Sequence, residues 1–160
     1  MIWDMSESTF TQLHVFLSLV GIASGLVALC GLVAGKRLPG WTALFLITTV
    51  LTSVTGFGFP VEHLLPSHKV GIVSLVVLAV AIVARYGPNL AGPWRAIYVV
   101  TAALGLYFNA FVGMVQAFLK IPALTALAPN QTEAPFVIAQ LLVLLLVAVL
   151  TILALKRFRA

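Results

Sequence analysis

Residues 135–155 read PFVIAQLLVLLLVAVLTILAL, a run of 21 residues without a charged side chain. A helix needs about 20 apolar residues to cross a hydrocarbon core about 30 Å thick, so this run is long enough to span a membrane. Three basic residues follow it at once: Lys156, Arg157 and Arg159. The stretch therefore predicts a transmembrane helix that ends at a membrane surface.

Four other uncharged runs precede it, at 15–34, 41–59, 70–84 and 96–119. Open backbone in lipid leaves polar groups without partners, so helices are the expected spanning form. The sequence thus predicts an all-α, polytopic transmembrane bundle of five helices in one integral membrane domain, residues 1–160. The helices are predicted at about 11–35, 41–59, 67–86, 94–120 and 135–156.

The composition of the whole chain agrees with this class. Of 160 residues, 62% are hydrophobic and 8% are charged, and the mean hydropathy is +1.16. Soluble domains are about 45–50% apolar and about 25% charged, so a soluble globule is excluded. Disordered chains are polar and rich in charge, so disorder is excluded as well. The net charge of +5 comes from basic residues between the apolar runs, which does not predict binding to nucleic acid.

The distribution of basic residues predicts the orientation. With five crossings, one side of the membrane holds seven Lys and Arg residues: Lys36, Arg37, Arg85, Arg95, Lys156, Arg157 and Arg159. The other side holds two, Lys69 and Lys120. Because basic residues accumulate in the cytoplasm, the amino terminus is predicted outside and the carboxyl terminus inside. A four-helix alternative omits the short run 70–84 and weakens this bias.

Two segment pairs suggest an internal duplication. WTALFLIT at 41–48 aligns with WRAIYVVT at 94–101, and VGIAS at 20–24 aligns with VGIVS at 70–74. With one inserted residue, the second match extends back to His14 and His63. We interpret the chain as two duplicated helical hairpins followed by a fifth helix. Chance similarity among apolar residues is the alternative.

Small and polar residues at helical spacing are predicted to face the inside of the bundle. Lipid tails are as apolar as leucine, so helices associate through close backbone approach and hydrogen bonds instead of the hydrophobic effect. The candidates are Gly21, Gly25, Gly31, Gly35, Thr49, Thr52, Ser53, Gly105, Asn109, Gly113 and Gln116. Two interpretations apply, a polar path for a solute and ordinary interhelical hydrogen bonding, and the second is favoured.

Side chains that are able to bind a metal or a cofactor are concentrated on the predicted outer side. His63, His68 and Glu62 form a candidate metal site, because imidazole and carboxylate bind divalent metals. His14 and His63 are candidate cofactor ligands, since a symmetric pair of histidines is able to bracket a haem iron. Ordinary solvated residues at a membrane surface are the alternative, and the sequence does not identify a cofactor.

Two stretches carry a resemblance to a known group of proteins. TSVTGFGFP at 52–60 and QAFLKIPAL at 116–124 resemble a family of small bacterial multi-pass inner-membrane proteins to which no activity is attached. The resemblance implies a location in the bacterial inner membrane. It implies no functional residue.

Three functions follow as expectations. The first is a non-catalytic accessory or assembly subunit of a larger inner-membrane complex, with lipid and other membrane subunits, or further copies of the chain, as partners. The second is a small-solute channel or transporter that acts as an oligomer. The third is a haem- or metal-binding redox protein that uses the outer histidines. No nucleophile–base pair or phosphate-binding loop is recognisable, so the sequence does not predict an enzyme.

Overall fold

A computed structural model of the chain describes residues 4–160, and residues 1–3 of the predicted domain lie outside the described part. This part contains six helices and no strand, so the all-α prediction is confirmed. The helices are α1 (Glu7–Val33), α2 (Pro39–Gly56), α3 (Pro66–Tyr86), α4 (Trp94–Lys120), α5 (Pro122–Leu127) and α6 (Ala134–Arg157).

The helix ends follow local sequence chemistry. Helix α1 begins at Glu7, before the predicted residue 11, because the Ser6 hydroxyl caps it by accepting a hydrogen bond from the Thr9 amide at 3.1 Å. Helices α2, α3, α5 and α6 have proline in their first turn, where its missing N–H removes no helical hydrogen bond. The short α5 has no counterpart among the predicted helices.

Within the described residues, four helices are long and apolar enough to cross a membrane: α1, α3, α4 and α6. The predicted count of five spans is therefore not confirmed. Helix α2 is the one left out, because its 18 residues include five threonines, a serine and a proline that reduce its hydropathy.

Helices α1 and α2 form an antiparallel hairpin. Gly31 lies against Leu38 at one end, Gly25 lies against Phe45 in the middle, and His14 contacts Thr55 at the other end. As the residue number falls along α1, it rises along α2, so the two helices run side by side over nearly the whole of α2.

Helices α3 and α4 form a second antiparallel hairpin. Leu78 lies against Gly105, and the Arg85 guanidinium lies 5.6 Å from the centre of the Tyr98 ring. Helix α6 runs antiparallel to α4, since the Gln140 amide donates to the Phe111 carbonyl at 3.2 Å while Arg95 donates to the Leu155 carbonyl at 3.0 Å.

This alternation gives the bundle two ends of different charge. We call the end that holds the carboxyl termini of α1, α3 and α6 the basic end, and the opposite one the acidic end. The basic end holds Lys36, Arg37, Arg85, Arg95, Lys156, Arg157 and Arg159. The acidic end holds all four acidic residues of the chain, Asp4, Glu7, Glu62 and Glu133, together with Lys69 and Lys120.

The core lies between the two hairpins. Its largest fully buried side chains within the bundle include Phe45, Leu78, Tyr98, Val99 and Leu106. The proposed repeat pairs Phe45 with Tyr98 and Leu46 with Val99, and all four of these side chains are buried. The two hairpins thus present matching positions of α2 and α4 to the core.

Helix α6 lies at the periphery. Its mean hydropathy is 3.0, the highest of the four candidate spans, yet only Val147 and Ala154 are buried within it. Leu150 and Leu155 are partly buried against the core, whereas most of its other Leu, Ile and Val side chains are exposed, with Leu142 and Leu145 among the most exposed. Helix α6 therefore packs through a narrow strip and leaves a broad apolar face free for lipid or protein.

Replacing Gly25 with alanine is expected to destabilise the hairpin contact. An added Cβ would lie 2.7 Å from Cδ2 of Phe45 and 2.8 Å from Cδ1 of Leu106, so buried side chains must shift, at a cost of about 1–3 kcal/mol. Gly25→Ala should lower the melting temperature of the protein in detergent.

Gly113→Ala is the matched control, because its Cβ would meet only Cδ1 of Ile22 at an ordinary 3.5 Å. Its melting temperature should equal or exceed that of the wild type. Equal melting temperatures for the two variants would contradict close packing at Gly25.

Candidate functional site

The candidate site inside the bundle is a polar layer formed by Ser18, Gly21, Thr49 and Asn109, where α1, α2 and α4 meet. The Ser18 hydroxyl donates to the Asn109 Oδ1 atom at 2.7 Å, and the Asn109 Nδ2 atom donates to the Ser18 carbonyl at 3.2 Å. Asn109 therefore satisfies its side-chain oxygen and one of its N–H groups on a single residue of α1.

Gly21 makes this contact sterically feasible. A Cβ at Gly21 would lie 2.9 Å from Asn109 Nδ2 and 2.9 Å from Thr49 Oγ1. Both distances are too short for a side chain of any size, so the position admits only glycine without a shift of its neighbours. The polar layer thus depends on a glycine in α1 against which α2 and α4 both pack.

The threonines of α2 mostly satisfy their hydroxyls within their own helix. Thr48, Thr52 and Thr55 each donate to the carbonyl four residues earlier, at 2.7–2.8 Å. This bonding hides the polar hydrogen from lipid. Thr42 donates to the Arg37 carbonyl just before the helix. Thr49 is fully buried, and its Oγ1 has no hydrogen-bond partner within residues 4–160.

The polar layer is closed to solute in this arrangement. Asn109 is 8% exposed and Thr49 is 0% exposed. A gap in the core beside Gly25, lined also by Phe45 and Leu106, has a volume of about 10 Å³, which is no more than the space of one water molecule. The polar groups therefore serve contacts between helices in this conformation.

The other predicted packing residues are distributed along several contacts. Gly105 lies against Leu78, and the Ser53 hydroxyl donates to the Ser74 hydroxyl at 3.3 Å between α2 and α3. Gly113 faces Ile22 of α1. Gln116, on the same helix, makes no side-chain hydrogen bond to the described residues.

The second glycine pair of α1 does not form a helix–helix contact. Gly31 lies against Leu38 in the turn before α2. Gly35 lies beyond the end of α1 with a φ of +75°, and a Cβ added there would have no atom of the described residues within 4 Å. Glycine at this position permits the left-handed turn that ends the helix.

The structure uses His14 in a contact between α1 and α2. Its Nδ1 atom lies 2.8 Å from Thr55 Oγ1, and its ring meets the Phe59 ring edge-on at 5.2 Å. The Thr55 hydroxyl also lies 2.8 Å from the Leu51 carbonyl, to which it is able to donate, so this side chain joins α1 to α2 through His14.

His68 and His63 have different environments at the acidic end. His68 is buried, and its Nδ1 atom accepts a hydrogen bond from the Leu65 amide at 3.1 Å, which caps the start of α3. Its ring lies 5.4 Å from that of Phe57. His63 and Glu62 are exposed in the preceding loop.

The predicted ligand sets gain no geometric support. Among residues 4–160, no group of three or more His, Cys, Asp or Glu side chains is placed to hold a metal ion. His14 and His68 each bond to their own neighbours, and His63 is on an exposed loop. The metal set of Glu62, His63 and His68 and the cofactor pair of His14 and His63 stay predictions.

Sequence reasoning missed Ser18, the partner of Asn109. The sequence did contain a signal for Ser18. Residues 14, 18, 21 and 25 are separated by four, three and four positions, which places them on one face of α1. His14, Ser18, Gly21 and Gly25 all contact α2 or α4.

No protein-family model, curated protein or solved structure matches this chain. The fold and the geometry of its residues are therefore the only basis for assigning a function.

Replacing Asn109 with alanine is expected to loosen the contact between α1 and α4. A hydrogen bond between membrane helices contributes about 0.6 kcal/mol on average and seldom more than about 2 kcal/mol. A double-mutant cycle of Ser18→Ala and Asn109→Ala, measured by unfolding in mixed micelles, should give a coupling energy in this range.

Gln116→Ala, combined with Ser18→Ala, is the control, because Gln116 is a polar residue of the same helix and does not bond to Ser18. Its coupling to Ser18 should be near zero. A zero coupling for Asn109 as well would show that the polar layer does not hold α1 to α4.

Proposed function

We propose that the chain is a non-catalytic accessory or assembly subunit of a larger membrane complex. The observation that carries the proposal is the closed polar layer: Ser18 and Asn109 satisfy each other and Gly21 seals the contact. Interior polar groups that are engaged in helix packing favour a structural subunit over a channel, a transporter or an enzyme.

Passage of a small solute through an oligomer is a weaker proposal. Such a path requires Asn109 and Thr49 to become accessible, although both are buried against α1. A haem or metal protein is weaker still, since Glu62 and His63 are exposed while His14 and His68 bond to their own neighbours. Neither alternative has an observation that favours it over the subunit.

We further propose that α2 also crosses the membrane, for five spans in all. The support is that α2 lies side by side with α1, and α1 is a candidate membrane span. From Leu38, near Gly31, to Thr55, near His14, α2 runs antiparallel beside α1. At 1.5 Å per residue this is about 25 Å, close to the thickness of a hydrocarbon core. The back-bonded threonines reduce the cost of placing this helix in lipid.

The orientation that we propose has the amino terminus outside and the carboxyl terminus in the cytoplasm of a bacterial inner membrane. The support is the separation of charge between the two ends of the bundle, with seven basic residues at the basic end and two at the acidic end. Basic residues retained in the cytoplasm favour this orientation over its reverse.

The outer face of α6 is the proposed surface for a partner subunit. Its exposed side chains from Val137 to Ile152 are apolar, and Val147 and Ala154 are the buried residues of α6. A peripheral helix of this kind is able to exchange lipid contacts for protein contacts without disturbing the two hairpins.

A photo-activated cross-linking residue at position 142 is expected to capture a partner subunit in intact membranes. Leu142 is 60% exposed on α6, and Phe16, 63% exposed on α1, is the matched control. Position 142 should give one discrete adduct whose added mass exceeds the 17.0 kDa of this chain, and position 16 should give only lipid adducts. The measurement is denaturing electrophoresis followed by mass spectrometry.

Two results would contradict the proposal. One is that neither position yields a protein adduct, with the chain purifying alone in mild detergent. The other is that the adduct from position 142 contains only a second copy of this chain, which fits self-association without a larger complex.

A further inference from the structure

The basic end of the bundle contains an open pocket of about 640 Å³ that the proposed function does not use. It lies between the start of α4, the end of α6 and the loops that follow α1 and α3. Its polar lining comes from Arg37, Asn89, Arg95, Lys156 and Arg159. Among the described residues, no acidic side chain lines it, because all four acids of the chain lie at the opposite end.

Two of the arginines are held in place by neutral acceptors. The Arg95 Nη1 atom donates to the carbonyls of Leu155 and Phe158 at 3.0 and 2.8 Å. The Arg37 Nη1 atom donates to Asn89 Oδ1 at 3.0 Å. These bonds orient both guanidinium groups, and neither group pairs with an acidic side chain of the described residues.

The loop after α3 is fixed in a shape that opens the pocket. Asn89, Leu90 and Gly92 all have a positive φ, at 52°, 67° and 54°. Leu90 is buried beneath the loop, and its amide donates to the Ala84 carbonyl. A non-glycine residue in this conformation costs free energy, and it persists only where the surrounding structure imposes it.

A fifth cation reinforces the positive potential behind the pocket. Arg85 is 6% exposed, its Nη2 atom donates to the Arg37 carbonyl at 3.4 Å, and its charge lies over the Tyr98 ring. Its Nη1 atom has no partner among residues 4–160. The four basic residues that line the pocket and Arg85 behind it repel one another, and a bound anion reduces that repulsion.

We infer that this pocket binds a phosphate group. Oriented guanidinium forks match the oxygens of phosphate, and lysine adds a mobile point charge. Because α4 and α6 are candidate membrane spans, their ends lie at the level of lipid headgroups, where basic pockets between helices bind anionic lipids. The phosphate thus comes from an anionic phospholipid or from free phosphate, and the two sources are separable by experiment.

The test measures lipid retained by the delipidated full-length protein in native mass spectrometry. The probes are short-chain phosphatidylglycerol, short-chain phosphatidylcholine and inorganic phosphate. The pocket variant is Lys156→Gln with Arg159→Gln, both exposed side chains. The control is Lys36→Gln with Arg157→Gln, which removes the same charge at the same end outside the pocket lining.

The wild type and the control variant should bind phosphatidylglycerol alike, and the pocket variant, which lacks two basic side chains, should bind it about thirtyfold more weakly. Asn89→Asp is a second pocket variant: it keeps the side-chain shape and the acceptor for Arg37 but adds a negative charge, so it should weaken binding as well. If inorganic phosphate displaces the lipid at millimolar concentration, free phosphate is a competent ligand. If it does not, the ligand is the lipid.

Equal binding of phosphatidylglycerol to the pocket variants and the control variant would overturn the inference, and so would a wild type that binds neither phosphatidylglycerol nor phosphate. The inference would likewise be overturned if the wild type bound phosphatidylglycerol and phosphatidylcholine equally and the pocket variants bound both lipids as the wild type does. None of these results depends on the identity of a partner subunit.

Discussion

Close approach of α1 to α2 and α4 is the interaction on which the bundle depends. In lipid, burying a leucine against another leucine contributes little, because the surrounding tails are equally apolar. Gly21 and Gly25 let α1 come close enough for Phe45 and Leu106 to fill the space beside it, and for Asn109 to bond Ser18. These two glycines therefore set how closely α1 approaches α2 and α4.

Charge placement and helix packing reinforce each other in this molecule. The antiparallel order brings all acids to one end and seven of nine Lys and Arg residues to the other. At the basic end, Arg95 also satisfies the last carbonyls of α6. Arg37, Arg95, Lys156 and Arg159 of this basic end also line a pocket, while the interior stays closed around the Ser18–Asn109 pair.

The five long helices could be predicted from the sequence, because uncharged runs bounded by Lys, Arg and Pro mark where a chain enters and leaves an apolar phase. The six-residue α5 could not, since it is too short to leave such a run. Contacts between helices could not. Gly21 and Gly35 both look like packing residues, yet only the fold shows that one meets Asn109 while the other ends a helix at positive φ. His68 is a candidate ligand by sequence, and only the fold shows that its Nδ1 atom accepts a hydrogen bond from the Leu65 amide. The pocket joins residues 37, 95 and 159, which are distant in sequence and carried no local motif.

The position of α2 across the membrane tests the central claim most directly. In a Cys30→Ala background, which removes the chain's single cysteine, Lys36→Cys and Glu62→Cys place one thiol at each end of α2. A membrane-impermeant maleimide applied to intact cells should label position 62, and it should label position 36 only after the cells are opened. Labelling of both positions from the same side would contradict five spans and, with them, the alternating hairpins and the proposed orientation.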